Sequence, residues 1–428
     1  MYETDNDASK MINIRLKNLN WTFRSELLLD LTCVLWLCNA PLRLVLMNLL
    51  RIVRLSGFTI LFENILIFIP LVLYIVIERV IPWKYFHWLL LVLSSFFVIT
   101  LKIHPEYEYW YSRDIFGVWY TVFRPDHGAI WAFLIVELSQ KEERLWKNLN
   151  VYAVVLFLYN LYNLYQATIA GTWMAYNATG ELAEKSYSLD FGYDMVFIAL
   201  VALSQFQEKK TYKYIILATA CFFLSITQGS RGALICLAVF LGLSMFNGKQ
   251  SSSKKILYVF IFIVIVLVFY SYGLTLVQNA ALFLMNHFHV SSRTLLQLTS
   301  ANIASDSGRD GIYAIALDAI RKNPWGYGAY SDRVFIGPRY YWGYSHSIVY
   351  EMALNFGVIG ATIVLITLLV KSLKLVFFEK NPVIVTIYTI FFSIDMRLIV
   401  SDTFWGNTFF WMSLAVLMMY REKGRLGE

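Results

Sequence analysis

The chain has 428 residues, of which 58% are hydrophobic, 17% aromatic and 15% charged. A soluble domain is about 45–50% apolar and about 25% charged, so a single water-soluble globule is excluded, as are disordered, collagen-like and disulfide-scaffold chains. The formal charge of +7 would suit a nucleic-acid partner, but its distribution along the chain points to a lipid bilayer, and no nucleic acid is expected.

Residues 1–26 are polar and mixed in charge, without a cleavable signal pattern, and read as a cytoplasmic N-terminal tail. Twelve apolar segments follow, at 27–49, 58–77, 88–102, 128–138, 150–168, 192–206, 213–227, 232–247, 256–278, 346–370, 382–399 and 404–420. A span needs about 20 apolar residues, so the expectation is an all-α, polytopic membrane protein with about twelve transmembrane helices. Segment 128–138 is the weakest and reads as a half-helix or re-entrant piece. Residues 27–278 hold helices 1–9, and 279–345 form a large extracytoplasmic loop with short helices. Residues 346–420 hold helices 10–12, and 421–428 form a cytoplasmic tail. Lysine and arginine set the orientation. Short segments on one side carry 21 of the 36 basic residues, among them Lys141, Arg144, Lys147, Lys209, Lys210 and Lys213. That side is read as inner, and both termini lie on it. Arg51 and Arg54 sit against the rule, and either cap a helix that bends at Pro41 or touch anionic lipid. The four cysteines lie in apolar runs with no CxxC pair, so they read as packing thiols.

Three outer-face features could carry chemistry. Gln228-Gly229-Ser230-Arg231-Gly232-Ala233 joins two apolar segments with almost no loop. Arg231 there is either a snorkelling anchor or, beside small residues and helix-end amides, an anion clamp. Ser307-Gly308-Arg309-Asp310-Gly311 opens a segment with Ile312, Ile315, Ala316, Ala319 and Ile320 at helical spacing. Asn323-Pro324 stops it, and Gly326 and Gly328 follow as turn residues. Arg309 then stands near the start of a short amphipathic helix, either paired with Asp306 or Asp310 or free to grip a phosphate. Tyr344-Ser345-His346-Ser347 ends the large loop. His346 is either a structural hydrogen-bonder or a general base. Arg333, Arg339, Arg124 and Tyr344 are lesser candidates for substrate binding. Asp395 and Arg397 read as a buried structural ion pair. His287 and His289 lack acidic or Cys partners at ligand spacing, so no metal and no cofactor is expected.

These motifs resemble those of the O-antigen ligase and polymerase superfamily. Ser230-Arg231-Gly232-Ala233, Gly308-Arg309, Asn323-Pro324-Trp325-Gly326-Tyr327-Gly328, Ser345-His346-Ser347-Ile348 and Gly357-Val358-Ile359-Gly360 follow its order over about residues 190–370. Ser347 stands where the family usually has Asn, and Leu189-Asp190-Phe191-Gly192-Tyr193 stands where a Pro-Asn motif is often seen.

The resemblance implies a fold like the C-type membrane glycosyltransferases, in a bacterial plasma (inner) membrane with the site on the extracytoplasmic face. It implies transfer of a glycan from an undecaprenyl-diphosphate carrier to a sugar hydroxyl, with inversion and without a metal. Arg231 and Arg309 would steady the diphosphate, and His346 would take the hydroxyl proton. The expected partners are the carrier-linked donor and acceptor, with a polysaccharide chain-length regulator as a further candidate. Polymerisation of repeat units is the first reading. Transfer to lipid A-core or a protein hydroxyl is the alternative, and a lipid-linked glycan transporter is the alternative of another class.

Overall fold

In an apolar surround a chain must satisfy its backbone N–H and C=O groups internally, and a helix does this within one segment. The structure, a computed structural model, describes residues 11–16, 19–176, 182–185, 188–228, 232–246, 279, 282–283 and 309–423. Within these residues the apolar segments are helices, and the expected segment 256–278 lies outside them.

The chain opens with a hairpin, β1 (Met11–Leu16) and β2 (Leu19–Arg24), paired antiparallel from Met11–Arg24 to Leu16–Leu19. The hairpin lies within the segment expected as a cytoplasmic tail, where no secondary structure is assigned from sequence. Ile12, Ile14 and Leu16 alternate with Asn13 and Arg15, the two-residue period of a strand. A second short hairpin, β3 (Trp173–Tyr176) and β4 (Leu182–Lys185), joins two helices.

The first apolar segment is two helices, α1 (Glu26–Leu37) and α2 (Asn39–Ile52), bent by 81°. The break falls at Cys38 because Pro41 has no N–H to offer the Leu37 carbonyl. Then come α3 (Thr59–Glu78), α4 (Phe86–Ile103) and the short α5 (Glu108–Ser112). Segment 128–138 forms α6 (Trp131–Ser139), only nine residues long. It is short because the preceding loop folds into the bundle, burying Val122, Asp126, Ala129 and Ile130 completely. Next are α7 (Glu142–Ala170), α8 (Leu189–Lys209), α9 (Tyr212–Gln228) and α10 (Gly232–Phe246). The large loop supplies α11 (Asp310–Lys322) and α12 (Ser331–Ile336). The chain closes with α13 (Ile348–Phe378), α14 (Pro382–Asp395) and α15 (Thr408–Lys423).

Among the described residues, α3, α4, α8, α13 and the stretch Pro382–Ile399, which is α14 with the short helical turn after it, are long and apolar enough to cross a membrane, and the bent α1–α2 pair adds a sixth candidate. Only 17% of the α4 window is buried in the protein, against 72% for α8. So α4 offers its apolar side chains to lipid, while α8 forms the centre of the bundle.

Side-chain bonds define two ends. At one, Arg144 pairs with Asp30 at 3.0 Å, and Asn381 donates to Glu142 at 2.6 Å. Glu137 there accepts the Tyr85 and Phe86 amides at 2.6 and 2.9 Å, neutralising the start of α4. At the other end meet the α1–α2 break, residues 104–130, the starts of α8 and α10, residues 309–347 and the loop after α14. Trp36 bonds the Pro125 carbonyl at 2.8 Å, Tyr111 bonds that of Ala329 at 2.7 Å, and Ser225 bonds that of Gly192 at 2.9 Å.

The large loop is tied into α13 through glycines. Gly357 breaks that helix with φ 75° and ψ 165°. Tyr327 N and Gly328 N donate to Leu354 and Asn355 carbonyls at 2.7 and 3.2 Å, and Val358 N donates to the Pro324 carbonyl at 2.8 Å. A Cβ on Gly326 would lie 2.4 Å from Gly357 N, so the two backbones meet only as glycines.

Candidate active site

The expected amphipathic helix is α11, with Ile312, Ala316 and Ala319 buried. Arg309 stands at its N-cap position, and its carbonyl accepts from Tyr313 N at 2.8 Å. Its Nη1 donates to the Val400 carbonyl, in the loop after α14. Asp306 lies outside the described residues, as does Arg231. The described chain on either side of it ends α9 at Gln228 and begins α10 at Gly232. Gly232 packs on Tyr193, whose hydroxyl would lie 2.2 Å from a Cβ at that position. A side chain there would push the Tyr193 ring aside.

His346 sits just before α13 with φ 54°, a left-handed conformation uncommon for a non-glycine residue. Its neighbours hold it there. Ser345 N donates to Asp332 at 3.3 Å, Ser345 Oγ donates to the Ser347 carbonyl at 3.0 Å, and that carbonyl also accepts from Glu351 N at 2.9 Å. The imidazole lies against Tyr344, with ring centroids 4.2 Å apart. Its Nδ1 is buried, with no partner among the described residues. Burial, then the charges of Arg309 and Arg333, push its pKa down to about 3. The ring is therefore neutral at physiological pH, with an open nitrogen. Arg309 and His346, 37 positions apart in sequence, thus share one electrostatic environment.

The other arginines differ from these. Arg333 is 2% exposed and donates to both Asp332 oxygens at 2.7 Å, to Glu351 at 2.6 Å and to Thr403 at 2.9 Å. Tyr330 and Tyr344 rings flank its guanidinium at 4.0 and 5.5 Å. Arg124 donates twice to Asp126 at 2.7 Å, and Asp126 also receives Arg43 at 2.5 Å and His127 at 3.1 Å. Burial pushes the Asp126 carboxyl up, but bonds from His127 and Arg124 overcome that and hold it well below the usual carboxylate range. Arg339 is exposed and has no side-chain partner among the described residues.

Two features escaped the sequence reading. Glu351, near the start of α13, accepts from Arg333 at 2.6 Å. Arg397 pairs with Asp402 at 2.9 Å, whereas Asp395 accepts from Ser413 Oγ at 2.5 Å. This corrects the expected Asp395–Arg397 pair, since the intervening turn at Met396–Ile399 sends the two side chains apart. Arg397 lies over the Tyr193 ring at 4.8 Å and lines a cavity of about 200 Å³ together with Asp190 and Asp194 of α8. Charged residues in apolar helices were the signal available for these. Among the described residues, no three His, Cys, Asp or Glu side chains are grouped as metal ligands.

Comparison with protein families matches residues 214–365 to the model described as O-antigen ligase. The matched stretch runs from α9 through the large loop into α13, and so carries Arg231, Arg309 and His346. It supports the O-antigen ligase and polymerase superfamily, and a glycosyltransferase-like membrane enzyme. No curated protein and no solved structure matched the chain.

Proposed function

We propose that the chain is a membrane glycosyltransferase that transfers a glycan from an undecaprenyl-diphosphate carrier to a sugar hydroxyl. One juxtaposition carries the reading: within a stretch matched to O-antigen ligase, a neutral imidazole with an unpartnered nitrogen lies within the field of the Arg309 charge. The acceptor oxygen attacks the anomeric carbon and its proton passes to His346 Nδ1. The bond from that carbon to the diphosphate oxygen breaks, and its electron pair leaves with the diphosphate. Arg309 and Arg231 stabilise the charge that collects there. Direct displacement inverts the anomeric centre. Arg333 and Arg124, held by carboxylates, act as positioning residues. Arg333 carries the wall on which Tyr344 and His346 rest, and Arg124 fixes the loop before α6. Arg339 is free to meet the glycan.

The end that holds these residues is the extracytoplasmic face of a bacterial plasma membrane, with about twelve spans in a C-type glycosyltransferase arrangement and both termini cytoplasmic. Our first reading is a polymerase of O-antigen, capsule or exopolysaccharide repeat units, in which a second carrier-linked unit is the acceptor and a chain-length regulator a further partner. Transfer to lipid A-core or to a protein hydroxyl is the alternative.

Purified protein supplied with carrier-linked repeat units tests both levels. Chain growth without a core acceptor identifies a polymerase, and transfer only when core is added identifies a ligase. Wild-type glycan assembly in Arg231→Ala, Arg309→Ala and His346→Ala variants alike would overturn the transferase reading, as would carrier movement across vesicles without any new glycosidic bond.

A further inference from the structure

The cavity of about 200 Å³ at the head of α8 is not used by the chemistry above. Its walls include Trp36, Tyr152, Asp190, Asp194, Arg397 and Phe409, from four different helices and the turn after α14. Ionisable side chains at or within membrane-spanning helices are costly, and they persist where they face an interior cavity with a task. Here they are only partly satisfied by the protein. Asp194 accepts one bond, from Asn160 at 3.0 Å. Asp190 is exposed and has no hydrogen-bond partner among the described residues. Arg397 spends Nη2 on Asp402, while its buried Nε has no partner among them.

A cavity with two carboxylates, a guanidinium edge and three aromatic walls has the chemistry of a polyol site. Carboxylates accept from vicinal hydroxyls, the guanidinium donates to a ring or hydroxyl oxygen, and aromatic faces cover the C–H surface of the ring. The volume equals roughly seven waters at about 30 Å³ each, the bulk of one sugar ring and not of a chain. With Asp402, three carboxylates face one guanidinium, a formal surplus of two negative charges. An anionic sugar would meet repulsion there, while a neutral or amino sugar would not. The cavity also adjoins the donor side. Ser401 N bonds the Arg397 carbonyl at 2.7 Å, and the preceding residue, Val400, offers its carbonyl to Arg309.

We propose that this cavity seats the terminal sugar of the acceptor, with Asp190 and Asp194 accepting its hydroxyls, and that it selects neutral or amino sugars over uronic acids. The proposal rests on the transferase reading for the word acceptor, but sugar binding can be measured without turnover.

The full chain in lipid nanodiscs is titrated with methyl glucoside, methyl glucosaminide and methyl glucuronide, read by saturation-transfer NMR. The glucoside and glucosaminide should bind at least tenfold more tightly than the glucuronide. Asp190→Asn and Asp194→Asn, near-isosteric, should shrink that preference to under threefold. Thr408→Leu, which fills the cavity wall without touching a charge, should weaken all three probes at least tenfold. Equal or tighter glucuronide binding overturns the proposal, as do absence of binding by all three glycosides and unchanged binding in the Thr408→Leu variant. The two readings fail separately. Selective sugar binding in a protein that makes no glycosidic bond removes the transferase and keeps the sugar site. Glycan assembly that needs Arg309 and His346 but is indifferent to Asp190, Asp194 and Thr408 does the reverse.

Discussion

Two polar regions at the same end of the bundle use their charges in opposite ways. Around Asp126, Arg43 bridges two carboxylates, at 2.7 Å from Glu63 and 2.5 Å from Asp126, and Arg124 adds two more bonds. Trp36 and Asn39 bind the neighbouring carbonyls of Pro125 and Asp126 at 2.8 and 2.7 Å. The carboxylates and guanidinium groups there all have partners from the protein, although the buried His127 Nε2 has none among the described residues, and the region holds the bent α1–α2 pair against α3 and the loop before α6. Around His346, one imidazole nitrogen has no partner among the described residues, and Arg309 meets the backbone carbonyl of Val400 and no carboxylate among them. A folded chain can keep such groups unsatisfied where a ligand completes them. Saturated charge builds this end, and unsaturated charge is left for substrate.

The contrast breaks first at Asp126. Asp126→Ala would leave Arg43 and Arg124 facing a buried void at a cost of about 3–5 kcal/mol, so we expect a large fall in thermal midpoint and little monodisperse protein. His346→Ala should show the opposite pattern, with transfer reduced about 10²–10⁴-fold and the thermal midpoint nearly unchanged. Arg309→Ala should behave likewise, and Arg309→Lys should recover only part, because a lysine lacks the two-pronged contact. If either variant instead lost its fold along with its activity, the division between the regions would not hold.

Strain gives an intermediate test. Gly357→Ala would adopt φ 75° with a Cβ 2.4 Å from the Trp325 carbonyl oxygen, costing about 1–3 kcal/mol from backbone strain alone, read as a lower midpoint in detergent.

The pH response sharpens the comparison. The folded protein keeps His346 neutral down to about 3, while an unfolded histidine titrates near about 6.5. Between those values the unfolded chain binds the extra proton, so stability is present above the unfolded pKa and declines as pH falls through that window. Melting between pH 7 and 4 should show the decline, with a smaller one in His346→Gln. In activity, the acid limb of kcat/KM should lie low, because it reports the free enzyme. The limb of kcat should lie higher, because the diphosphate offsets Arg309 once donor is bound. The smallest expected effect is Arg339→Ala, an exposed change within about 0.5 kcal/mol in stability, detectable only as a modest rise in KM for the glycan.

Much of this was legible in residue order. The apolar runs marked the described helices, the Ile312–Ile320 spacing marked α11, and glycines at 326, 328 and 357 marked positions that require backbone freedom. The 81° break after Leu37 was foreshadowed by Pro41, although the turn itself lies three residues earlier. What the sequence concealed were partners. Nothing local distinguishes Arg124 and Arg333, each consumed by carboxylates, from Arg309, because the carboxylate of Glu351 or the hydroxyl of Thr403 arrives from a distant segment. The charges of Asp190, Asp194 and Arg397 were visible, but their convergence on one cavity depends on α8 packing against the end of α14, which no periodicity reveals.

The discontinuity in α13 carries a last implication, for biosynthesis. A helix interrupted at Gly357 leaves amide and carbonyl groups without partners at a depth where lipid supplies none. The stretch from Pro324 to Gly328 supplies them, and it precedes the helix in the chain. A ribosome therefore delivers the plug before the gap it fills, and insertion of this span is conditional on the loop already waiting beside it.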